Sequence, residues 1–408
     1  MARTTATLAT VALSLAALDA CAQSLSLDGY LDLRAAAPAH EDSWLDGGLG
    51  KTRFGGDDDA ASGGAAITAA FQATPALLAT ATVQYQPELR HSVDVLEAYL
   101  RYRPVSITPW RWALKAGAFF PPISLEHDGV GWSTTRTLTP SALNTWVGEE
   151  LRIFGTELHV EYRGRRGTLD ARAAMFFRND PAGELLSSRG WAMGDVVAGF
   201  DTSLRQPDVY APVARAPVPM RFRPFVEMDD RPGFYAAVGW EPSSQRRFSA
   251  LYYDNQTELD YSVRYAGRRL FAWRTWFWNL GAEQRFGEWA LLGQAMHGTT
   301  TFSPMPGRIV LATDFNAGYL MLAREHGAWR PAMRVDLFQA RQTPQLRSPP
   351  LDEHGNAVTL ALNWRPAERV RVTGEVLRID STRNQRSRAG LGARQVDTQV
   401  QLGVRLFF

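Results

Sequence analysis

Cysteine, lysine and long hydrophobic runs are scarce in this sequence of 408 residues. The single cysteine is Cys21, the only lysines are Lys51 and Lys115, and no run of about eighteen apolar residues could cross a bilayer as a helix. The formal net charge is only +2. So small a charge gives no reason to expect binding to nucleic acid or to another acidic polymer.

Motifs of the common hydrolases and nucleotide-binding enzymes are also missing. The chain contains no G-x-S-x-G, no H-E-x-x-H and no P-loop, and its seven histidines are scattered. The sequence therefore predicts neither an enzyme nor a cofactor. A pair of carboxylates such as Glu149-Glu150 could act as a catalytic dyad, which keeps a hydrolase as an alternative.

The N-terminus has the pattern of a secretory signal peptide. A basic start (residues 1–3) is followed by an apolar run (6–18) and by the small residues Ala20-Cys21-Ala22. We predict cleavage after Ala22 and a mature chain of residues 23–408. Cys21 leaves with the signal peptide 1–22, so the mature chain could form no disulfide. The alternative is a lipoprotein with a lipidated Cys21, which the neighbouring Asp19 fits poorly.

The last stretch, residues 398–408, alternates between apolar and polar side chains. Leu402, Leu406 and Phe408 share one parity, and Gln401 and Arg405 share the other. Period-two alternation predicts a strand with one apolar and one polar face. The strand ends on an aromatic pair, which resembles the C-terminal signal of bacterial outer-membrane proteins. Barrels of that membrane close with a C-terminal strand and carry aromatic residues at the membrane interface.

Alternation of this kind recurs along the chain and predicts sixteen strands. They cover residues 24–36, 62–73, 76–86, 91–103, 110–120, 151–163, 168–178, 232–242, 246–255, 271–286, 288–299, 312–324, 328–341, 354–365, 368–380 and 395–408. Short links, the last of them at Pro366-Ala367, alternate with the long links 37–61, 121–150, 179–231, 256–270, 300–311, 342–353 and 381–394. Only 87–90 is short where a long link is due. The sequence thus predicts an all-β chain, a 16-stranded antiparallel transmembrane β-barrel in the bacterial outer membrane.

Aromatic residues support this topology, because amphipathic rings prefer the membrane–water interface. Those expected beside short turns are Trp110, Trp112, Trp240, Trp289, Trp329 and Trp364. Those expected at the opposite strand ends are Phe176, Tyr252, Tyr253, Trp273 and Trp276. The two groups predict two interfacial belts.

The same alternation selects the side chains that should face the lumen. A charge on the lipid face costs about 2–4 kcal/mol at mid-membrane, so charged strand residues are expected inside. The predicted pore-lining and constriction residues are Arg101, Arg103, Arg111, Lys115, Glu126, Asp128, Arg136, Glu149, Glu150, Arg334 and Arg371. The alternative is that inner charges pair across strands and only keep the wall wet.

These candidates include a basic wall and an acidic loop. Arg101, Arg103, Arg111 and Lys115 lie on neighbouring strands, and the acids of link 121–150 are expected opposite them. Basic residues outnumber acidic ones on the strands, and the loop acids offset part of this excess. We therefore expect weak anion preference for small polar or anionic solutes.

The link 121–150 carries a family resemblance. Pro121-Pro122 ends strand five because proline supplies no ladder N–H, and Thr139-Pro140 predicts the start of a short helix. A long third outer loop that folds inward after strand five resembles the constriction loop of sixteen-stranded porins. The pattern Gly117, Phe119, Pro121-Pro122, Ser124 and Glu126 is similar to the phosphate-selective porin O/P type.

The resemblance in length, topology and ending covers the mature chain, and the specific motif covers residues 117–152. It implies a passive outer-membrane channel, a homotrimer, and a pore narrowed by link 121–150. Those porins select anions partly through a ladder of lysines. This chain has two lysines, so that feature does not carry over, and phosphate is not specified as the solute.

Two acidic stretches could bind a cation. Asp57-Asp58-Asp59 could hold Ca²⁺ through carboxylate oxygens or form an acidic turn between glycine pairs. Glu227, Asp229 and Asp230 could bind a cation, face arginines across the pore mouth, or pair locally in a solvated loop.

The function expected from these patterns is a diffusion channel surrounded by outer-membrane lipid and lipopolysaccharide. The alternative is a scaffold barrel whose lumen is plugged by loops 121–150 and 179–231. Open and plugged barrels share the same wall, so the sequence leaves both possible.

Overall fold

The computed structural model describes residues 24–56, 61–208, 219–305, 307, 309–343 and 351–408. In this part of the chain, sixteen strands pair antiparallel in sequence order and close into one barrel. The strands are β1 (Ser24–Ala37), β2 (Ala61–Thr74), β3 (Leu77–Tyr85), β4 (Val93–Tyr102), β5 (Trp110–Phe119), β6 (Ile153–Gly164), β7 (Gly167–Phe177), β8 (Gly233–Ser243), β9 (Arg246–Asp254), β10 (Arg274–Phe286), β11 (Trp289–Met305), β12 (Ile309–Arg324), β13 (Trp329–Thr343), β14 (Glu353–Ala367), β15 (Val370–Arg383) and β16 (Arg394–Phe407). The predicted signal peptide 1–22 and Asp57-Asp58-Asp59 lie outside the described residues.

The barrel closes where the first strand meets the last. Tyr30 pairs with Phe407 and Ala37 pairs with Val400, so β1 and β16 run side by side. The backbone N–H of Phe408 donates to the carbonyl of Gly29 at 3.1 Å. A Cβ at Gly29 would lie 2.3 Å from the Phe408 ring, so a larger residue at position 29 would displace that ring. The prediction that the terminal strand closes the barrel is confirmed.

The outward surface of the wall is apolar. Leu33, Leu360 and Leu402 are exposed and alternate with buried inward-facing residues. Beside the short turns, exposed tryptophans form a girdle, in which Trp329 stacks on Trp364 with ring centroids 5.6 Å apart. An apolar outer band flanked by aromatic rings is the lipid face of a transmembrane barrel.

The second predicted belt is partly wrong. Trp276 and Tyr252 lie on the outward face and contact each other, but Phe176, Tyr253 and Trp273 are buried. The reason is the alternation of side chains along each strand, because these three residues occupy positions whose side chains point into the barrel. They pack inside the barrel and do not meet lipid.

Two predicted links differ from the structure. The link 300–311 is mostly strand, because Thr301 pairs with Ala312 and Phe302 pairs with Leu311. The run of threonines there has high β-propensity. The turn predicted at Pro366-Ala367 lies at residues 368–369, since β14 continues through an irregularity between Trp364 and Ala367. A bulge of this kind tolerates a proline that cannot donate to the ladder.

Two outer loops contain α-helices among the described residues. We call residues 120–152 the third loop and residues 178–232 the fourth loop; they contain α1 (Ala142–Glu150) and α2 (Glu184–Ser188). The N-cap of α1 is Ser141, whose hydroxyl accepts from the Asn144 N–H, and not the predicted Thr139. The Thr139 hydroxyl instead accepts from the Gln401 side chain at 3.0 Å. No helix in the described ranges is both long enough and apolar enough to cross a membrane.

Candidate functional site in the barrel lumen

The inward-facing side chains of the wall form an apolar set and a polar set. The apolar set packs around the third and fourth loops, and polar residues lie on the same strands beside it. The apolar set includes Tyr253, Phe277, Phe315, Phe338 and Ile379, and the polar set includes Glu283, Gln294, Arg334, Asn363 and Arg371. All of these side chains are buried although they face the centre of the barrel.

The third and fourth loops pack on the apolar part of the wall. All nine residues of α1 are buried, and the Trp146 ring lies 5.2 Å from Phe315 and 5.6 Å from Phe277. Trp146 also contacts Trp191 of the fourth loop. One apolar cluster thus joins both loops to the wall. Close packing of this kind leaves no room for water among its members.

The polar part of the third loop binds the wall at β13 and β15. Arg334 pairs with Glu126 at 3.2 Å and with Asp336 at 2.8 Å, and it donates to the Thr139 carbonyl at 2.8 Å. Glu375 accepts from the Leu138 N–H at 2.6 Å. A buried guanidinium with two carboxylates fixes geometry because either charge alone would be costly.

The third loop also reaches the short-turn end of the barrel. Arg136 pairs with Asp128 of its own loop and with Glu325, which follows β12. Arg371 donates to the carbonyls of Thr134 and Thr135. The loop therefore extends from the outer end of β5 to the level of the turn between β12 and β13.

The predicted basic wall does not meet the acids of this loop. Arg101, Arg111 and Lys115 alternate with exposed neighbours, so they face the lumen, while Arg103 lies exposed just beyond β4. Lys115 pairs with Glu157 of β6 at 3.3 Å and lies 4.3 Å from the Phe119 ring. Lys115 thus pairs with a neighbouring strand of the wall and not with the third loop.

The acids of α1 contact the fourth loop instead. Glu149 pairs with Arg189 at 2.5 Å. Glu150 accepts from the Trp146 indole at 2.5 Å and from the Leu185 N–H at 3.0 Å, and no cation in the described part of the chain pairs with it. Burial raises the pKa of Glu150 to about 7. The expected opposition of loop acids and basic wall fails because the apolar face of α1 packs on the far wall and carries its acids there.

A small cavity remains between the third loop and the wall of β1 to β3 and β16. Its volume is about 30 Å³, and its lining includes His127 and Trp132 of the loop and Arg34, Arg53 and Arg405 opposite them. A space of this size holds no more than a few water molecules.

Sequence reasoning placed Arg405 on the inner face but missed Arg34 and Arg53 as site residues. The alternation of Arg34 with Leu31 and Leu33 in β1 could have identified Arg34. Arg53 and Asp195 lie in loops, where no periodic signal marks the side chains that point inward.

The acidic group of the fourth loop is tied to backbone donors. Carboxylate oxygens of Asp180, Glu227 and Asp229 lie within 4.8 Å of one another. Glu227 accepts from the Arg178 N–H at 2.7 Å, and Asp229 accepts from the Arg231 N–H at 3.0 Å. Burial, with the two neighbouring carboxylates, raises the pKa of Asp180 to about 7. Asp230 is exposed and lies outside this group.

Comparison with known proteins finds similarity in three dimensions only. No family model matches the sequence, and no curated protein matches it. The outer membrane channel DcaP of Acinetobacter baumannii superposes with a TM-score of 0.60 at 10% identity, over 94% of this chain and 97% of that one. An anion-selective porin from Comamonas acidovorans gives 0.52 at 13% identity, over 94% and 99%. The trimer form of OmpT, an outer membrane protein of Vibrio cholerae, gives 0.52 at 12% identity, over 94% and 99%.

Identities this low establish the fold and nothing finer. The lipid-facing apolar band and the aromatic girdle independently require a membrane around the closed barrel. The chain therefore has the sixteen-stranded fold of the outer-membrane porins, and its place is the bacterial outer membrane.

Proposed function

We propose that the protein is an outer-membrane channel for passive diffusion of small hydrophilic solutes, narrowed by its third loop and held closed by its third and fourth loops together. The observation that carries this proposal is the inner wall of β1 to β6. There Arg101, Arg111, Lys115 and Glu157 face the lumen, and all of them except Glu157 remain half-exposed. Charged side chains on an inner wall suit a solvated passage, and a purely structural barrel has no need of them.

The small cavity beside the third loop is lined by cations. Arg34 and Arg405 of the wall and Arg53, which lies between β1 and β2, have Asp32, Asp195 and Glu88 as counter-charges. Because several N–H groups of these arginines have no acceptor among the described residues, we propose weak anion preference for this chain, on a different residue set from the one expected. Phosphate selectivity is not part of the proposal. The chain has only two lysines, and its likeness to phosphate-selective porins is confined to residues 117–152.

Partners are proposed on similar grounds. The Vibrio cholerae structure is named as a trimer form, and we propose a homotrimer here. Native mass spectrometry that shows only single chains in detergent would contradict this proposal.

Above the apolar band, outward-facing polar residues such as His354 and Arg394 are exposed. We propose that they meet lipopolysaccharide head groups.

A second candidate, a plugged scaffold barrel, is favoured by the apolar cluster around Trp146. A dry core inside the lumen is what a permanent plug requires. Planar bilayers distinguish the two functions. The test compares wild type with a variant in which residues 183–199 are replaced by a Gly-Ser linker of equal length.

We expect small or rare currents from wild type and a larger steady current from the variant, because the linker removes α2 and Trp191 from the cluster. Heat-modified electrophoretic mobility confirms that both proteins are folded. Silence from both folded proteins would favour the scaffold.

A further inference from the structure

A carboxylate of the fourth loop is held between two arginines from other parts of the chain. Asp195 Oδ2 lies 2.7 Å from Nη1 of Arg34 on β1, and Asp195 Oδ1 lies 2.9 Å from Nη1 of Arg53 in the first outer loop. Arg34 and Arg53 are only 5% and 7% exposed. Burial opposes ionisation, but the two guanidiniums hold the pKa of Asp195 well below its usual range. The group is therefore an anion in a cationic setting.

The arginines around Asp195 have more donors than acceptors. Nε of Arg34, Nε of Arg53, and Nε and Nη1 of Arg405 are buried without an acceptor among the described residues. The three cations face three anions, because Asp32 contacts Arg34 and Arg405, and Glu88 contacts Arg53. Removal of Asp195 would leave one cation in excess beside the small cavity.

Other contacts also hold the fourth loop near Asp195. The Gln86 side chain donates to the Asp195 carbonyl at 3.0 Å, and the Gln84 side chain donates to the Val197 carbonyl at 2.7 Å. The Thr145 hydroxyl donates to the Gly194 carbonyl at 3.1 Å, and Arg152 donates to the Ala198 carbonyl at 2.6 Å. Charge-assisted bonds are roughly twice as strong as neutral ones. Loss of the two Asp195 ion pairs would thus weaken the attachment of this segment.

We propose that Asp195 is a tethered anion that occupies a binding site for small carboxylate solutes, formed by Arg34 and Arg53. A solute carboxylate that displaces it releases this part of the fourth loop, so the channel opens in response to its solute. The ligand class follows from the occupant, because a guanidinium fork matches the geometry of a carboxylate. The effect on current, though not the binding site, rests on the channel function proposed above.

The first measurement is ion current through planar bilayers. When acetate replaces chloride at constant ionic strength, we expect the wild-type open probability to rise in a saturable way, at about millimolar concentration or above, the effective concentration of a tethered group. Asp195→Ala should carry about tenfold more chloride current without acetate, because one charge-assisted contact is worth a factor of that size or larger. Acetate should then reduce the Asp195→Ala current, since it occupies the vacated site.

The second measurement is thermal melting in detergent, followed by tryptophan fluorescence. Acetate should raise the melting temperature of Asp195→Ala but not that of Asp195→Asn, because the asparagine side chain fills the space of the carboxylate. Asp201→Asn is the matched control. It removes the same charge from the same loop at an exposed position, where the Asp201 side chain forms an ion pair with Arg223. It should behave like wild type in both measurements.

The proposal is overturned if acetate neither changes the wild-type current nor stabilises Asp195→Ala, since Asp195 would then be an ordinary structural ion pair. Failure of the channel function has a different result. In that case every folded variant is silent, including the one with residues 183–199 replaced, and the melting temperatures alone decide whether the arginines bind a carboxylate.

Discussion

Glu184, the first residue of α2, is a buried carboxyl group whose partners are all neutral. It accepts from the Trp273 indole and from the Gln206 side chain, and no cation among the described residues pairs with it. Burial, reinforced by the nearby carboxylate of Glu150, raises the pKa of Glu184 to about 8. The group is therefore protonated in the closed lumen at neutral pH.

This shift makes the attachment of the fourth loop depend on pH. In a released loop the Glu184 carboxyl returns to its ordinary pKa of 4.5. Between pH 4.5 and about 8 the closed state thus binds one more proton than the released state. The stability that protonated Glu184 adds to the closed state is complete below pH 4.5 and is lost as pH rises through 8. One pKa unit corresponds to about 1.4 kcal/mol, so the loss is at most roughly 4 to 5 kcal/mol.

Glu184→Gln should remove most of this dependence, because an amide still accepts from the Trp273 indole but cannot ionise. The assay is hydrogen exchange of peptides from residues 182–206, measured by mass spectrometry at pH 5, 7 and 9 and corrected for intrinsic exchange. Wild-type protection should fall as pH rises, and that of Glu184→Gln should fall much less. Asp201→Asn, which alters an exposed acid of the same loop, should follow wild type.

A wild-type protection that stays constant across this pH range would refute the reasoning. So would an equal slope in Glu184→Gln, since some other group would then be losing the proton. A residual slope in the variant is expected, because Glu150 titrates near 7 with the same sign.

Three further predictions concern stability and charge. Arg334→Met should destabilise the fold by about 3–5 kcal/mol in urea titration, because it leaves two buried carboxylates without their cation, and a gain in stability would contradict this. Trp146→Ala should cost about 3–5 kcal/mol through the cavity that it leaves, whereas the lipid-facing Trp110→Ala should cost much less by the same assay. Arg405→Ala should reduce anion preference more than Arg101→Ala, measured as the zero-current potential across a KCl gradient. Both shifts should grow in dilute electrolyte, since the screening length is about 8 Å at 0.15 M salt, and clear cation preference in wild type would contradict the assignment.

The wall could be predicted because the alternation of apolar and polar residues in each strand indicates which side chains face lipid and which face the lumen. In β16, Leu402 and Leu406 face lipid while Gln401 and Arg405 face inward, and the period-two pattern is visible in the sequence. The same local signal assigns Arg334 to the inner face of β13. Where polar threonines lie on the outer part of a strand, as in residues 299–301, the pattern resembles a loop, and the strand was predicted too short.

The loop contacts could not be predicted in this way. Glu126 and Arg334 are 208 positions apart, and nothing in either segment indicates the other as its partner. The inward-facing apolar side chains were equally difficult to predict from the sequence. Phe176, Tyr253 and Trp273 follow the parity of inward-facing residues, but their chemistry suggests lipid, because a wet lumen was assumed. The side of the barrel on which α1 packs depends on those side chains, so the opposition of charges was predicted wrongly.

The apolar cluster inside the lumen gives the wall two mechanically different halves. Along β10 to β13, lipid covers one face, and side chains such as Phe277 and Phe338 are packed against the loops on the other. Inter-strand hydrogen bonds there lie in a low dielectric on both sides, where each bond is stronger and its rupture is more costly. Along β2 to β5 several polar inner side chains, such as Gln72, Arg101 and Lys115, are half-exposed, so water can exchange for a strained bond. We expect strands β10 to β13 to resist deformation and strands β2 to β5 to deform more easily. Any widening of the lumen must then come from β2 to β5.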